Sequence, residues 1–273
     1  MFRRMRLRSV GDTSSYLPES LIVDGSHPVA ECSDMLSSFI NNIEWLTVRQ
    51  AGNETTYPGH CARCHFDLSA YRDELFFQAG IPIPTEIARS VPKRRAEYLA
   101  GRYLAKAVLS RLGVNDYVLT SAADRSPQWP ERIAGSLSHN VDSVLCAAHQ
   151  CRHDGSCVGL DIETRMDVER ANNLWPGIAD EIEYDWLHSH NPISFASMLT
   201  LSFSAKESLY KALYPQVKRY FDFLDVRMVG LDTAQQTFTL QLLTDLSPAY
   251  LAGRRFSGTY QLRENDITTF LFG

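Results

Sequence analysis

Val158-Gly159-Leu160-Asp161-Ile162-Glu163 is the most informative segment of this chain, an apolar run that contains two carboxylates two residues apart. Because alternate side chains of a β-strand point to opposite faces, Asp161 and Glu163 would share one face of a strand. Two neighbouring carboxylates repel each other, and their burial costs free energy unless a cation lies between them. A hard divalent cation such as Mg²⁺ binds carboxylate oxygens. The simpler alternative is an exposed edge strand with solvated acids.

The residues around this stretch predict further strands. The apolar run 143–149 is followed by Arg152-His153-Asp154-Gly155, and Asp-Gly is typical of a tight turn, so a hairpin would end on the acidic pair. Downstream, residues 238–242 and 255–262 show the alternation of half-buried strands. Strands and helices that do not alternate regularly predict an α+β fold with antiparallel sheets.

The clearest helix is predicted over about 93–112, with Gly113 as the glycine that ends it. Its basic residues Arg95, Arg102 and Lys106 fall on one stripe of the helix. Such a stripe is either a solvated face or a wall that binds an anion. Two more helices are predicted over about 179–188 and 204–213.

The second dense group of polar residues is Phe203-Ser204-Ala205-Lys206-Glu207-Ser208-Leu209-Tyr210-Lys211. Ser204 and Glu207 fit a capping box, and Glu207 and Lys211 have the spacing of a helical ion pair. A purely structural explanation is therefore available for each polar residue of this group.

The two acidic segments together suggest a second explanation. Glu207 would complete a metal site with Asp161 and Glu163, and Lys206 and Lys211 would bind a phosphorylated ligand. The remaining candidates for phosphate contacts are Arg95, Arg102, Arg125 and His139. An acidic cluster that holds a cation, ringed by bases that hold phosphates, is typical of phosphoryl transfer.

Composition and charge limit the classes of protein to which the chain could belong. The chain has 273 residues, is 44% hydrophobic and 22% charged, and carries a formal net charge of −5, which argues against a nucleic-acid binder driven by overall charge. No apolar run has membrane-spanning length, and no apolar segment follows the basic start, so a cytoplasmic protein is expected. The sequence of residues 1 to about 42 predicts a weakly structured arm.

The cysteines suggest an alternative function as a haem- or zinc-binding module. Cys61-Ala62-Arg63-Cys64-His65 matches the pattern of c-type haem attachment, but no export signal accompanies it. A zinc site would need a second pair of ligands with similar spacing. Reduced and partly buried thiols are the favoured interpretation. A haem- or zinc-binding module stays open as an alternative.

The motifs resemble those of the 4′-phosphopantetheinyl transferases, and in particular the enterobactin-type subgroup that serves siderophore synthesis. The resemblance covers about residues 61–225. It is carried by five stretches in the family's order: residues 95–102, Arg125 with Trp129-Pro130, residues 135–139, Gly159 with Asp161 and Glu163, and residues 203–211. Asn140 and Phe203 depart from residues common in the wider family.

The resemblance implies an enzyme that moves the phosphopantetheine arm of coenzyme A to a serine of an acyl, peptidyl or aryl carrier protein and releases 3′,5′-ADP. It also implies two similar α+β lobes, related by a pseudo-two-fold axis, each with a small antiparallel sheet and a long helix. The coenzyme would lie in the cleft between them. The lobes would cover residues 43–157 and 158–273, and the protein would be a monomer.

By motif, Asp161, Glu163 and Glu207 would hold Mg²⁺, and Glu207, directly or through a water, would accept the serine proton. The resemblance further implies that Lys206 and Lys211 contact phosphates. It implies that Arg125, Ser138 and His139 grip the nucleotide and its 3′-phosphate, and that Arg95 and Arg102 belong to the same coenzyme site. A protein that binds coenzyme A or a carrier domain without transfer is the alternative, although the intact acidic trio argues against it.

Overall fold

Two antiparallel sheets, each packed against one long helix, form the part of the chain that the computed structural model describes, residues 35–50, 55–189 and 193–273. The first sheet has the strand order β1-β4-β8-β7, with bounds Glu44–Leu46, His60–His65, Ser143–Gln150 and Ile133–His139. Two short ribbons flank it: β2 and β3 at Arg49–Gln50 and Thr55–Thr56, and β5 and β6 at Thr120–Ser121 and Pro127–Gln128. The helices of this first lobe are α1 (Leu75–Gln78), α2 (Thr85–Ala88) and α3 (Pro92–Arg111).

The second sheet has the strand order β10-β11-β12-β13-β9, with bounds Val226–Asp232, Thr237–Leu242, Arg255–Leu262, Asp266–Phe272 and Val158–Thr164. The helices of this second lobe are α4 (Val168–Leu174), α5 (Glu181–Ser189) and α6 (Phe195–Val217). Short 3-10 helices occupy Leu68–Ala70, Trp175–Gly177 and Phe223–Asp225. The α+β class and the two-lobed arrangement, a sheet and a long helix in each lobe, are therefore confirmed. None of the described helices has the length and apolarity needed to span a membrane.

The helix α3 follows the predicted pattern closely. Pro92 stands at its start, where the missing N–H of proline costs nothing, and Gly113 follows its end with a φ of +80°. The apolar side of α3, which includes Leu99 and Leu104, packs into the core of the first lobe. Local sequence signals therefore account for this helix.

The helix α6 is much longer than predicted. It begins after Ser194, whose hydroxyl accepts a hydrogen bond from Ser197 N, so the capping box at Ser204 and Glu207 is wrong. Ser204 is instead a buried interior residue whose hydroxyl contacts Thr269 Oγ1 at 2.9 Å. Residues 196–203 are buried throughout, and a helix that is buried on all sides lacks the amphipathic period by which it could be predicted.

The first lobe begins earlier than predicted. Phe39 is completely buried in its core, and Ile40 forms a β-bridge with Phe66. The last residues of the predicted arm 1–42 thus belong to this lobe, because an apolar side chain there completes its core. Residues 1–34 lie outside the described part. At the other boundary, β8 ends at Gln150 and β9 begins the second lobe at Val158.

The two lobes meet where β7 faces β9. A small apolar cluster fills the junction, and its buried members are Tyr57, Cys61, Leu145, Ala147, Val158, Leu160, Ile162 and Phe270. Leu160 N donates to Ser136 Oγ of β7, and Arg63 Nη2 contacts Asp266 Oδ2 at 2.8 Å across the junction. The edge of β9 is therefore covered, so the alternative of an exposed strand with solvated acids is wrong.

Candidate active site

The helix α6 crosses β9 at very short range, and Gly159 makes this possible. A Cβ at Gly159 would overlap Ser208 O and lie 2.9 Å from Ala212 N of the helix. The hydroxyls of Ser204 and Ser208 contact Thr269 Oγ1, and Thr269 pairs with Asp161 in the sheet. This register brings the segment of α6 that carries Glu207 and Lys211 to the acidic strand.

Lys211, Asp161 and Ser138 form one hydrogen-bonded group at the lobe junction. Lys211 Nζ donates to Asp161 Oδ1 at 2.7 Å, to Ser138 Oγ at 2.9 Å and to Leu160 O at 3.1 Å. Ser138 Oγ donates to the same Asp161 oxygen at 2.7 Å. Residues from both lobes and from three elements thus meet at one carboxylate.

The second oxygen of Asp161 stands apart from this group. Asp161 is 2% exposed, and its Oδ2 has no hydrogen-bond partner within the described ranges. A buried carboxylate oxygen without a partner is costly, and a cation is the usual way to offset that cost. This oxygen is therefore suited to bind a metal ion.

Glu163 and Glu207 are both buried, each at 7% exposure. Glu163 lies on the same face of β9 as Asp161, and Glu207 lies one helical turn before Lys211 on α6. Among the residues that the structure describes, however, no three His, Cys, Asp or Glu side chains stand close enough to hold a metal ion. The elements are brought together, whereas the three carboxylates are not gathered around one point.

His139 lies at the end of β7 and faces Glu97 of α3. Its Nε2 is 3.7 Å from Glu97 Oε2, and Arg94 Nη1 approaches the same oxygen at 3.4 Å. Burial lowers the pKa of Arg94. The sequence did not single out Arg94 and Glu97, although their i, i+3 spacing on a predicted helix was a usable signal.

The basic stripe of α3 serves the first lobe itself. Arg95 contacts Asp73 at 2.9 Å and Ser90 O at 2.7 Å, and Lys106 donates to Ala79 O at 3.2 Å. Arg102 is 4% exposed and donates to Ser121 Oγ. Its guanidinium also lies over the Tyr98 ring.

These contacts tie neighbouring segments onto the helix, and the assignment of Arg95 and Arg102 to a coenzyme site stays a prediction. Neither Arg95 nor Arg102 is among the residues that line the interlobe cleft. Burial also lowers the pKa of Arg102.

Lys206 points away from the site. Its ammonium is buried in the second lobe, where it donates to Glu183 Oε2 at 2.6 Å, Ile178 O at 2.7 Å and Phe223 O at 3.1 Å. Three acceptors satisfy its three N–H groups, so the expectation that Lys206 contacts phosphates is wrong. Consecutive residues of a helix point about 100° apart, so the neighbouring Glu207 points in a different direction from Lys206.

A cleft of about 460 Å³ opens between the lobes beside this site. It is bounded by the β5–β6 ribbon and β7 on one side and by α6 on the other, and Lys211 and Tyr214 line it. Trp129 packs against Gly135 of β7, where a Cβ would collide with the indole ring. Arg125 lies in the exposed turn between β5 and β6, and Ala122 and Ser126 of the same turn line this cleft.

The cysteine motif does not form a haem or zinc site. Cys61 and Cys64 lie three residues apart on β4, so they point to opposite faces: Cys61 into the junction cluster and Cys64 into the core of the first lobe. His65 Nδ1 contacts Ser143 Oγ. Since the two sulfurs cannot face one ligand, this alternative is wrong.

We expect Cys61, Cys64 and Cys146 to resist alkylation in the folded protein. All three are buried, and burial raises the pKa of Cys61 and Cys64 to about 12 and that of Cys146 well above its usual value. Thiolate, the reactive form, is therefore scarce at pH 8. Mass spectrometry after iodoacetamide treatment checks this, with Cys151, which is partly exposed, as the internal control. Modification of Cys61 as fast as that of Cys151 would contradict the described packing.

Comparison with known proteins gives two family matches. The family model for the 4′-phosphopantetheinyl transferase N-terminal domain matches residues 84–149, and that for the 4′-phosphopantetheinyl transferase superfamily matches residues 157–262. The second match contains Asp161, Glu163, Glu207 and Lys211.

Individual relatives agree with these matches. Enterobactin synthase component D of Salmonella typhimurium is 35% identical over 223 residues, which cover 79% of this chain and 87% of that protein. The 4′-phosphopantetheinyl transferase PptT of Mycobacterium tuberculosis is 33% identical over 173 residues, 60% of this chain and 72% of that protein. The 4′-phosphopantetheinyl transferase Svp of Streptomyces mobaraensis is 31% identical over 175 residues, 63% of this chain and 68% of that protein.

Proposed function

The chain belongs to the 4′-phosphopantetheinyl transferase superfamily and is an enzyme of that class, and from this membership we propose the details of its reaction. Transfer of phosphopantetheine from coenzyme A to a carrier protein is the activity of the family. The proposal is that a carrier serine attacks the phosphorus on the pantetheine side of the diphosphate, that Mg²⁺ is required, and that 3′,5′-ADP leaves. One new serine O–P bond forms and the P–O bond to the nucleotide breaks.

The observation that carries this proposal is the group of Lys211, Asp161 and Ser138 at the lobe junction. It combines a cation and a buried acid within 2.7 Å at the edge of an open cleft. Phosphoryl transfer depends mainly on positioning and on neutralisation of charge, which such a group supplies. The Lys211 ammonium would stabilise negative charge that develops on the leaving nucleotide.

The residues at this junction fit a magnesium ion in their chemistry. The free oxygen of Asp161, with Glu163 on the same strand face and Glu207 on the facing helix, offers the hard oxygen donors that Mg²⁺ prefers. Bound there, the ion would supply charge neutralisation at the diphosphate.

The protein's own residues have separate tasks in the proposed reaction. Glu207, directly or through a water, would accept the proton of the carrier serine. Ser138 holds Asp161 in place from the first lobe. His139 and Arg125 would bind the nucleotide and its 3′-phosphate, and Glu97 Oε2 lies 3.7 Å from His139 Nε2.

The carrier is proposed to be a peptidyl or aryl carrier domain of siderophore synthesis. The support for this carrier is the similarity of the chain to enterobactin synthase component D of Salmonella typhimurium. The monomeric state and the cytoplasmic location stay predictions. The alternative of a binding protein without transfer activity has no support from the site, because the acids and Lys211 are all present.

The test is transfer itself. The purified protein is incubated with coenzyme A, Mg²⁺ and a panel of apo carrier domains from siderophore, polyketide and fatty-acid synthesis, and each carrier is weighed. We expect the siderophore carriers to gain the mass of one phosphopantetheine group, and chromatography to detect 3′,5′-ADP in equal amount. No mass gain on any carrier would refute the proposed reaction, and a gain confined to fatty-acid carriers would refute the proposed pathway.

A further inference from the structure

A hydrogen bond crosses the cleft between the two lobes. Tyr214 lies on α6, three residues after Lys211, and lines the cleft. Its hydroxyl donates to Asp124 Oδ2 at 2.7 Å, and Asp124 belongs to the turn between β5 and β6 of the first lobe. The helix that carries Lys211 is thus joined directly to this turn.

The other oxygen of Asp124 is bound within the turn. Asp124 Oδ1 accepts from Ser126 N at 2.9 Å and from Ser126 Oγ at 2.6 Å. The hydrogen bonds from the Ser126 hydroxyl, from Tyr214 and from Ser126 N lower the pKa of Asp124 to about 2. The carboxylate is therefore ionised at neutral pH, and its hydrogen bonds are of the stronger, charge-assisted kind.

Arg125 lies between these two residues in an unusual backbone conformation. Its φ is +68°, in the left-handed region that residues other than glycine seldom occupy. The turn is closed by Arg125 N to Ala122 O and by Ala122 N to Ser126 O, both at 2.8 Å. Such a conformation persists only where the surrounding contacts hold it, and here they are the contacts of Asp124 and Ser126.

From these contacts we propose that Tyr214 is a positioning residue for coenzyme A, which fixes the turn 122–126 against α6 so that Arg125 meets the 3′-phosphate. The proposal rests on the proposed function, in which Arg125 binds that phosphate. Tyr214 acts through the turn and through Asp124. Its loss should therefore weaken recognition of the 3′-phosphate and leave the chemical step unchanged.

The experiment compares two donors that differ only in the 3′-phosphate. Tyr214→Phe removes the hydroxyl alone, and KM and kcat are measured for coenzyme A and for 3′-dephospho-coenzyme A with one apo carrier. We expect the KM for coenzyme A to rise about fivefold, the effect of one hydrogen bond, with kcat within about twofold of wild type. The KM for the dephospho donor should stay within about twofold of wild type.

Tyr117→Phe is the matched control. The Tyr117 hydroxyl donates to Gln128 O at 2.7 Å, so it serves the same ribbon but stays within the first lobe. Both KM values of this variant should equal those of wild type. An unchanged KM in Tyr214→Phe, an equal rise for both donors, or the same selective rise in Tyr117→Phe would each overturn the proposal.

Calorimetry separates this proposal from the proposed function. Binding of each donor to wild type and to Tyr214→Phe is measured without a carrier, so the result does not depend on turnover. A selective loss of coenzyme A affinity in Tyr214→Phe supports the positioning role even if no carrier is modified. Equal affinities of the two proteins for coenzyme A overturn it even if wild type is fully active.

Discussion

Glu163→Gln is expected to lower kcat/KM for coenzyme A by about 10³-fold while the protein stays folded. Glutamine keeps the size and hydrogen-bonding capacity of the side chain but removes the charge that the proposed magnesium site needs. Glu163 is buried on the strand that also carries Asp161, so its charge acts at short range in a place that water reaches poorly. The measurement is a titration of initial rate against Mg²⁺ for both proteins, with melting temperatures as the check of folding.

Asp232→Asn provides the matched control for this variant. Asp232 is an exposed carboxylate at the end of β10 in the same sheet, and its contact is to Gln235 N. The same change of acid to amide should leave both the rate and the Mg²⁺ dependence unaltered there. Near wild-type turnover of Glu163→Gln at limiting Mg²⁺ would remove Glu163 from the metal site.

Gly159→Ala is expected to destabilise the fold by about 3 kcal/mol or more, which exceeds the usual cost of overpacking. An alanine Cβ would overlap Ser208 O and lie 2.8 Å from the Ser208 carbonyl carbon, and both atoms belong to the backbone of α6. A helix backbone cannot move aside as a flexible side chain can, so the whole helix must shift from β9. That shift would also displace Glu207 and Lys211 from the acidic strand, and activity should fall with stability.

The control for Gly159→Ala is Gly230→Ala, in β10 of the same sheet. There a Cβ would meet side-chain atoms of Thr239 at 3.3 Å and 3.4 Å, which small adjustments can relieve. Thermal unfolding should show a loss of roughly 10 °C for Gly159→Ala and only a few degrees for Gly230→Ala, as the size of the chain implies. Equal melting temperatures of Gly159→Ala and wild type would contradict the close crossing of α6 and β9.

The sequence predicted some elements around the candidate site well because their signals are local. The two-residue spacing of Asp161 and Glu163 placed both on one face of a strand, and the four-residue spacing of Glu207 and Lys211 placed both on one side of a helix. Gly113 marked the end of α3 within a few residues. Residue spacing and helix-end residues are signals within a few positions of the chain, so they predict an element without knowledge of the elements that pack against it.

The contacts of several charged side chains could not be predicted from the sequence, because their partners are distant along the chain. Lys206 looked like a phosphate ligand, yet Glu183 and two carbonyl groups of the second lobe take its ammonium. The helical spacing of Arg95, Arg102 and Lys106 was predicted correctly. Their hydrogen-bond partners Asp73, Ser121 and Ala79, however, belong to other segments of the chain, which helical spacing does not identify.

The amino-acid sequence was sufficient to predict the α+β class, the acidic strand and the membership of the family, because these follow from patterns within short segments. Three contacts are visible only in the folded protein. Lys211 and not Lys206 joins the acidic strand, Ser138 contacts Asp161 from the other lobe, and Tyr214 contacts the turn that carries Arg125. The difference arises because periodicity sets the relative directions of side chains within an element, whereas packing between elements determines which residues each side chain contacts.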